Sequence, residues 1–117
     1  MDENELKQRT KQFAIRVMAL VESLPNTLVG RTIGGQPVRS GTSVGANYRA
    51  ACRGRSKAEF ISKLGTVEEE ADESGYWMEL IIEAKLMDRR RVEPLLQEAN
   101  ELVAIMAASR KSAVGRR

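Results

Sequence analysis

The sequence has no histidine, one cysteine, three prolines and few aromatic residues among its 117 positions. Histidine is the commonest general base and a frequent metal ligand, so its absence argues against acid–base catalysis and against a zinc site. Cys52 alone cannot form an internal disulfide, which is typical of a reducing compartment. We therefore expect a cytoplasmic protein that is not an enzyme and that holds no metal or other cofactor.

Targeting signals are missing as well. The first residues, Met1 to Glu5, are acidic and polar where an export signal is basic and then apolar. No apolar run approaches the roughly 20 residues that cross a membrane as a helix. We expect neither export nor a membrane span, and a chain of 117 residues forms a single domain with one core.

Apolar residues recur at intervals of three and four along most of the chain, the spacing of amphipathic helices. The first helix is predicted from Asn4 to about Ser23, where Pro25 stops it. Three glycines weaken the next stretch, and Pro37 disfavours a helix interior. We expect a kink or break there, and a second helix that runs in earnest from about Gln36 to Cys52, with a short helical turn before it as an alternative.

Two more helices follow. Ser56 and Glu59 have the spacing of a capping box, so the third helix begins at that point and continues for about 30 residues. The turn is predicted at Asp88 to Arg91, and a fourth helix comes after it. Short links make neighbouring helices antiparallel, which predicts an all-α, up-down-up-down four-helix bundle over residues 1–109 and a mobile basic tail over 110–117.

The third helix is apolar nearly all round between Tyr76 and Met87. A helix in an isolated bundle buries only one stripe, so this excess indicates self-association. We expect an oligomer whose interface includes Tyr76, Trp77 and Leu80.

Several motifs in the middle of the chain invite a chemical interpretation. Gly41 to Gly45 matches the G-x-S-x-G nucleophile elbow and loosely resembles a phosphate loop, but the required histidine, strand and Gly-Lys-Ser/Thr sequence are missing. A steric role is the better interpretation, because small residues let another helix approach closely. The predicted helix-packing or oligomer surface comprises Ser40, Gly41, Ser43, Gly45 and Asn47.

Acidic residues are concentrated between Glu68 and Glu73. In a bundle they could be ligands of a di-metal site, but the histidines of such sites are missing. We interpret them as a solvated face or as partners of arginines such as Arg39 and Arg49.

Basic residues are concentrated where the second helix ends. The antiparallel topology brings them to the same end of the bundle as the C-terminal segment, and we call this group the basic end. Its members are Arg49, Arg53, Arg55, Lys57, Arg110 and Lys111, with Arg116 and Arg117 beyond them. Such a patch is typical of a phosphate-backbone partner, although no aromatic residues are interleaved for base stacking and a solvated turn is an equal alternative.

Four segments together resemble a known family: Glu5–Ala14, Arg39–Ala50 (RSGTSVGANYRA), Ser56–Ile61 and Glu68–Trp77. They are similar to bacterial four-helix-bundle proteins related to those encoded in intervening sequences of large-subunit ribosomal RNA genes. The likeness to the accessory protein of diversity-generating retroelements, a basic ring that binds a reverse transcriptase and nucleic acid, is more distant. The resemblance implies a homopentameric ring and no catalytic residues.

Two functions from different classes remain open at this stage. The first is an oligomeric scaffold that binds RNA, DNA or a nucleic-acid enzyme through the basic end. The second is a protein–protein adaptor without a nucleic-acid role, in which the arginines only solvate the turn.

Overall fold

The computed structural model of the protein describes residues 1–115, which form four α-helices and no strand. The helices are α1 (Glu3–Glu22), α2 (Leu28–Cys52), α3 (Lys57–Glu83) and α4 (Arg89–Gly115). They lie side by side in a rod with principal dimensions of 50 × 20 × 19 Å. The all-α prediction is confirmed for this part of the chain.

Neighbouring helices run in opposite directions. Gly41 lies against Val17, and Gly45, further along α2, lies against Thr10, which comes earlier in α1. In the same way α2 packs on α3, α3 on α4 and α4 back on α1, while the diagonal pairs do not contact one another. The narrowest of these contacts is the seam between α1 and α4.

Side chains cap the first turns of the helices. Asp2, Thr27 and Ser56 each accept a hydrogen bond from the backbone amide three residues on, which satisfies one of the free donors at a helix start. The capping box predicted at Ser56 forms in part: the amide of Glu59 donates to Ser56 Oγ at 3.1 Å. The Glu59 carboxylate accepts from the amide of Arg55 at 3.4 Å rather than from that of Ser56.

The predicted start of the second helix is wrong. Helix α2 is continuous from Leu28, and it contains Pro37 and every glycine that was expected to break it. Packing overrides propensity here, because Gly34 and Gly41 face α1 so closely that a methyl group would press on Val21 or Val17. The intimate contact between the two helices offsets the weakness of each glycine in isolation.

The predicted end of the fourth helix is wrong as well. Helix α4 continues to Gly115, so residues 110–115 of the expected tail are helical. They contact the first turns of α3, where Val114 lies beside Lys57 and Ile61. Arg116 and Arg117 lie outside the described residues.

The core runs along the bundle axis and contains side chains from every helix. Its fully buried large members are Phe13, Val17, Val44, Leu64, Val67, Met78, Ile81, Val92, Leu102 and Met106. No helix within the described part of the chain is both long and apolar enough to cross a membrane.

Candidate nucleic-acid interface

The basic end combines the link between α2 and α3 with the last turns of α4. Arg49 lies in the last turn of α2, Arg53 caps that helix, and Lys57 opens α3 after the Ser56 cap. A shallow groove lined by Phe60, Ala108, Ser109, Ser112 and Ala113 shows that α4 ends against the beginning of α3. The structure therefore brings together the two groups of basic residues that the topology predicted.

Five of these basic side chains are exposed: Arg49, Arg53, Arg55, Lys57 and Lys111. None of the five takes part in an ion pair within residues 1–115. Arg49 and Arg53 are four residues apart on α2, so their charges repel each other across one helical turn. A negatively charged partner would relieve that repulsion.

Arg110 differs from the other members of the basic end. Its guanidinium group donates to Glu68 Oε1 of α3 from Nη2 at 2.9 Å and from Nε at 3.3 Å. Side-chain exposure is 42% for Arg110 and 26% for Glu68, so the pair is partly screened from water. Arg110 thus has a structural partner and contributes less free positive charge than its neighbours.

Acidic residues of α1 lie at the same end. Burial raises the pKa of the Cys52 thiol, and a hydrogen bond with the Glu3 carboxylate raises it further. Burial also raises the pKa of Tyr48, followed by its hydrogen bond with Cys52. The raised pKa keeps Cys52 protonated, which argues against a nucleophilic thiol.

Glu3, Asp2 and Glu5 also reduce the net positive charge of this end.

The small-residue surface of α2 is used inside the bundle. Ser40 is fully buried and hydrogen-bonded to Ser74 of α3 at 2.9 Å, while Gly41 and Gly45 contact α1. Ser43 and Asn47 are half-buried and bond to each other, with Asn47 Nδ2 at 2.8 Å from Ser43 Oγ. Ser40, Gly41 and Gly45 are therefore used in helix packing, whereas the bond between Ser43 and Asn47 lies within α2.

The aromatic residues of α3 lie on the outer side of the helix. Tyr76 is 56% exposed and packs edge-on against Trp77, with the ring centroids 5.0 Å apart. Trp77 and Leu80 are half-buried. Trp77 Nε1 donates to Glu73 Oε2 at 3.0 Å, and Arg39 of α2 bridges Glu73 and Glu70.

The acidic segment of α3 between Glu68 and Glu73 therefore forms ion pairs with arginines of neighbouring helices. The hydrogen bond from Trp77 and the Arg39 guanidinium hold the pKa of Glu73 below its usual range, while the Glu73 carboxylate raises the pKa of Arg39. Arg39 was an expected partner of this segment, whereas Arg49 forms no ion pair within residues 1–115. Across the same residues no cluster of three or more metal-ligating side chains occurs.

Two features were not recognised from the sequence. At the seam between α1 and α4, Arg9 binds Glu98 through Nε and Nη2, both at 2.7 Å, and Glu101 through Nη2 at 2.9 Å. These carboxylates raise the pKa of Arg9 and fix its side chain. The spacing of Glu98 and Glu101 indicates that they share one face of a helix. Their partner Arg9 could be recognised only from the folded structure.

A second basic group lies at the opposite end of the rod. It comprises Arg89, Arg90 and Arg91 in the first turn of α4, all exposed. The sequence predicted only that these residues form the turn before the fourth helix. Arg89 and Arg90 lie near Glu93 and Asp88, at 3.8 and 3.9 Å, so part of their charge is balanced locally.

The four antiparallel helices define the class of protein as an all-α four-helix bundle, with no strand in residues 1–115. Comparisons with known proteins identify the family. The family model described as 23S rRNA-intervening sequence protein matches residues 2–108. This chain therefore belongs to the 23S rRNA-intervening sequence protein family, which confirms the resemblance found in the sequence.

A solved structure agrees with this assignment. A protein of unknown function from the S23 ribosomal protein family of Bacteroides thetaiotaomicron is 34% identical to this chain, with a TM-score of 0.87. The match covers 95% of this chain and 99% of that one. None of the curated proteins matches the sequence.

Proposed function

We propose that this protein is a non-enzymatic scaffold that assembles with copies of itself and binds RNA or DNA through its basic end. The observation that carries the proposal is the set of five exposed basic side chains without an acidic partner within residues 1–115, namely Arg49, Arg53, Arg55, Lys57 and Lys111. Phosphate groups would satisfy these charges and release bound counterions.

Assembly is needed for useful affinity. Glu3, Glu59 and the Glu68 partner of Arg110 lie at the same end, so a single copy carries only a modest excess of positive charge. Several copies on one strand would bind through effective concentration, which strengthens weak individual contacts. We propose a homopentameric ring in the cytoplasm, as the family resemblance implies, with the basic ends on one rim.

The exposed aromatic surface of α3 supports self-assembly. Tyr76 is more than half exposed, and the neighbouring Trp77 and Leu80 leave part of their apolar surface open to water. Covering an apolar surface of this kind is favourable, at roughly 25 cal/mol for each Å² buried. A second copy of the chain is the partner that is always available.

Fluorescence anisotropy tests the nucleic-acid proposal. A labelled duplex of about 20 base pairs is titrated with the full chain over a range of salt concentrations, because each phosphate contact on B-DNA adds about 0.9 to the slope of log affinity against log salt. The variant R53S/R55S is expected to weaken binding at low salt and to lower that slope by about 2.

The control variant is R31S/R90S, which removes the same charge at the opposite end. We expect its binding and salt slope to match those of the unmodified chain. No binding of duplex or single-stranded probes at low salt would refute the nucleic-acid role, and an equal loss in both double variants would refute the assignment to the basic end.

A protein adaptor is the second candidate function. It is favoured by Leu28 and Val29 at the start of α2, which are 74% and 55% exposed and lie far from the basic end. An adaptor would retain its partner after nuclease treatment and lose it in the variant L28S/V29S. A partner retained by R53S/R55S and lost by L28S/V29S would favour this function over the scaffold.

A further inference from the structure

Unpaired acidic side chains follow an outer stripe of α3. The stripe has helical spacing and comprises Glu69, Asp72, Tyr76, Leu80 and Glu83. All but Leu80 are exposed, and none of its carboxylates forms an ion pair within the described residues. The α3 stripe is thus an aromatic and aliphatic centre with acidic flanks.

A stripe of the opposite charge follows α1. It consists of Lys7, Lys11, Ile15 and Met18, again at helical spacing. Ile15 and Met18 are 50% and 49% exposed and lie one helical turn apart, so they form an exposed apolar pair on α1. Neither lysine is in an ion pair inside residues 1–115. The α1 stripe therefore combines exposed apolar residues with free positive charge.

The two stripes have matching positions along the rod. Gly41 contacts Val17 and the adjacent Ser40 bonds to Ser74, so Val17 and Ser74 lie at about the same level. Helices α1 and α3 run in the same direction. Counting from these two residues puts Lys11 at the level of Glu68 and Glu69, and Met18 at the level of Gly75 and Tyr76.

The stripes also lie on different sides of the molecule. Helices α1 and α3 are diagonal in the bundle and do not contact each other. One copy therefore cannot cover its own stripes, whereas its α3 stripe is free to meet the α1 stripe of another copy. A contact between two different surfaces of the same chain is repeated from copy to copy, as in a ring.

We propose that the α3 stripe of one copy packs on the α1 stripe of the next, with the two helices parallel. This inference rests on the self-assembly in the proposed function and names its interface. Tyr76 covers Met18 and Ile15, while Glu69 and Asp72 lie opposite Lys11. Pairing two α3 stripes would instead bring acids together, so the charges select the mixed contact.

Parallel helices in this contact put neighbouring copies in the same orientation. Every basic end then faces the same rim, which is the arrangement that multivalent binding of one strand requires. Glu22 at the end of α1 lies at the level of Glu79, so like charges meet at that edge of the contact. The substitution E22K should therefore strengthen assembly.

Light scattering coupled to size exclusion tests the interface with two single variants of the full chain. Y76E disables the α3 stripe and M18E disables the α1 stripe, and both sites are exposed enough to leave the helix content unchanged by circular dichroism. Each variant alone is expected to elute near the monomer mass of 13.0 kDa. An equimolar mixture is expected to form a dimer, because the intact α3 stripe of M18E can pack on the intact α1 stripe of Y76E. The dimer grows no further, because only the two disabled stripes stay free.

The outcomes separate this inference from the proposed function. An unmodified chain that stays monomeric would overturn self-assembly and this interface together. An assembled chain whose mass is unchanged by Y76E and M18E would overturn only the interface. Monomeric variants that form no mixed dimer would show that α3 does not pair with α1, and recovery of assembly in K11E/E69K after its loss in K11E alone would support the pairing.

Discussion

The hydroxyl groups of Ser40 on α2 and Ser74 on α3 form a hydrogen bond of 2.9 Å in the interior of the bundle, where both side chains are fully buried. Ser74 Oγ also lies 2.9 Å from the carbonyl oxygen of Glu70. This polar contact joins α2 and α3 in the interior, whereas Arg39 of α2 pairs with Glu70 and Glu73 of α3 nearer the surface. It fixes their relative position, because a shift along the axis would leave the buried Ser40 hydroxyl without its partner.

The serine pair predicts a non-additive mutant cycle. S40A should lower the free energy of unfolding by about 1 kcal/mol, and S74A by a similar amount, since each leaves a buried group with fewer partners. The double variant should cost less than the sum, because the second change removes the group that the first left unsatisfied. Urea denaturation measures the three values, and strict additivity would show that the bond adds nothing.

Two glycines of α2 should respond to alanine in opposite directions. A Cβ atom at Gly30 would overlap the backbone carbonyl oxygen of Pro25, whereas one at Gly35 would meet nothing within 4 Å. We expect G30A to lower the free energy of unfolding by about 2 kcal/mol through overpacking. G35A should raise it by about 0.5 to 1 kcal/mol through helix propensity.

The same urea experiment compares both glycine variants, and circular dichroism confirms that the helices persist. A gain in stability from G30A would contradict the close approach of α2 to Pro25. A loss from G35A would contradict the open space beside this position.

The stability of the protein in acid should depend in part on Glu73. Its pKa in the folded protein lies below the ordinary 4.5, first because Trp77 Nε1 donates to it and then because Arg39 is near. The stabilisation is therefore complete above the ordinary pKa and is lost as the pH falls through the lowered value. W77F should raise the pKa of Glu73 toward its ordinary value, so the contribution becomes smaller and its loss ends at a higher pH, while the onset stays at the pKa of the unfolded chain.

Carbon-detected NMR of the Glu73 carboxyl group measures the shift directly. An unchanged titration of Glu73 in W77F would remove the indole as the main cause.

Cys52 should be slow to react with alkylating reagents. Burial and the Glu3 carboxylate raise the pKa of the thiol above its ordinary 9.0, so little thiolate exists near neutral pH. E3Q should lower that pKa and speed the reaction with iodoacetamide several-fold at pH values near 8. Equal rates in E3Q and the unmodified chain would place Glu3 away from the thiol.

The sequence predicted helix number, direction and the Ser56 cap, because apolar spacing and cap chemistry are local signals. It missed the start of α2 because Gly34 and Pro37 disfavour a helix locally, whereas contact with Val21 and other residues of α1 appears only in the folded bundle. The end of α4 was missed for a related reason, since only the folded bundle places Val114 beside Ile61 of α3.

The candidate site was likewise predictable only in part from the sequence. Topology alone was enough to collect Arg53, Lys57 and Lys111 at one end. The pairing of Arg110 with Glu68 and the position of Glu3 beside Cys52 depend on side-chain directions across helices, which spacing along one helix does not give. These acids reduce the charge of the basic end below what a count of arginines suggests.

The most direct test of self-assembly and RNA binding is the molar mass of the full chain by light scattering after size exclusion, at low and high salt, with and without a generic RNA. We predict a particle several times the 13.0 kDa monomer mass that takes up RNA at low salt and releases it at high salt. A monomer of 13.0 kDa that ignores RNA under both conditions would contradict it.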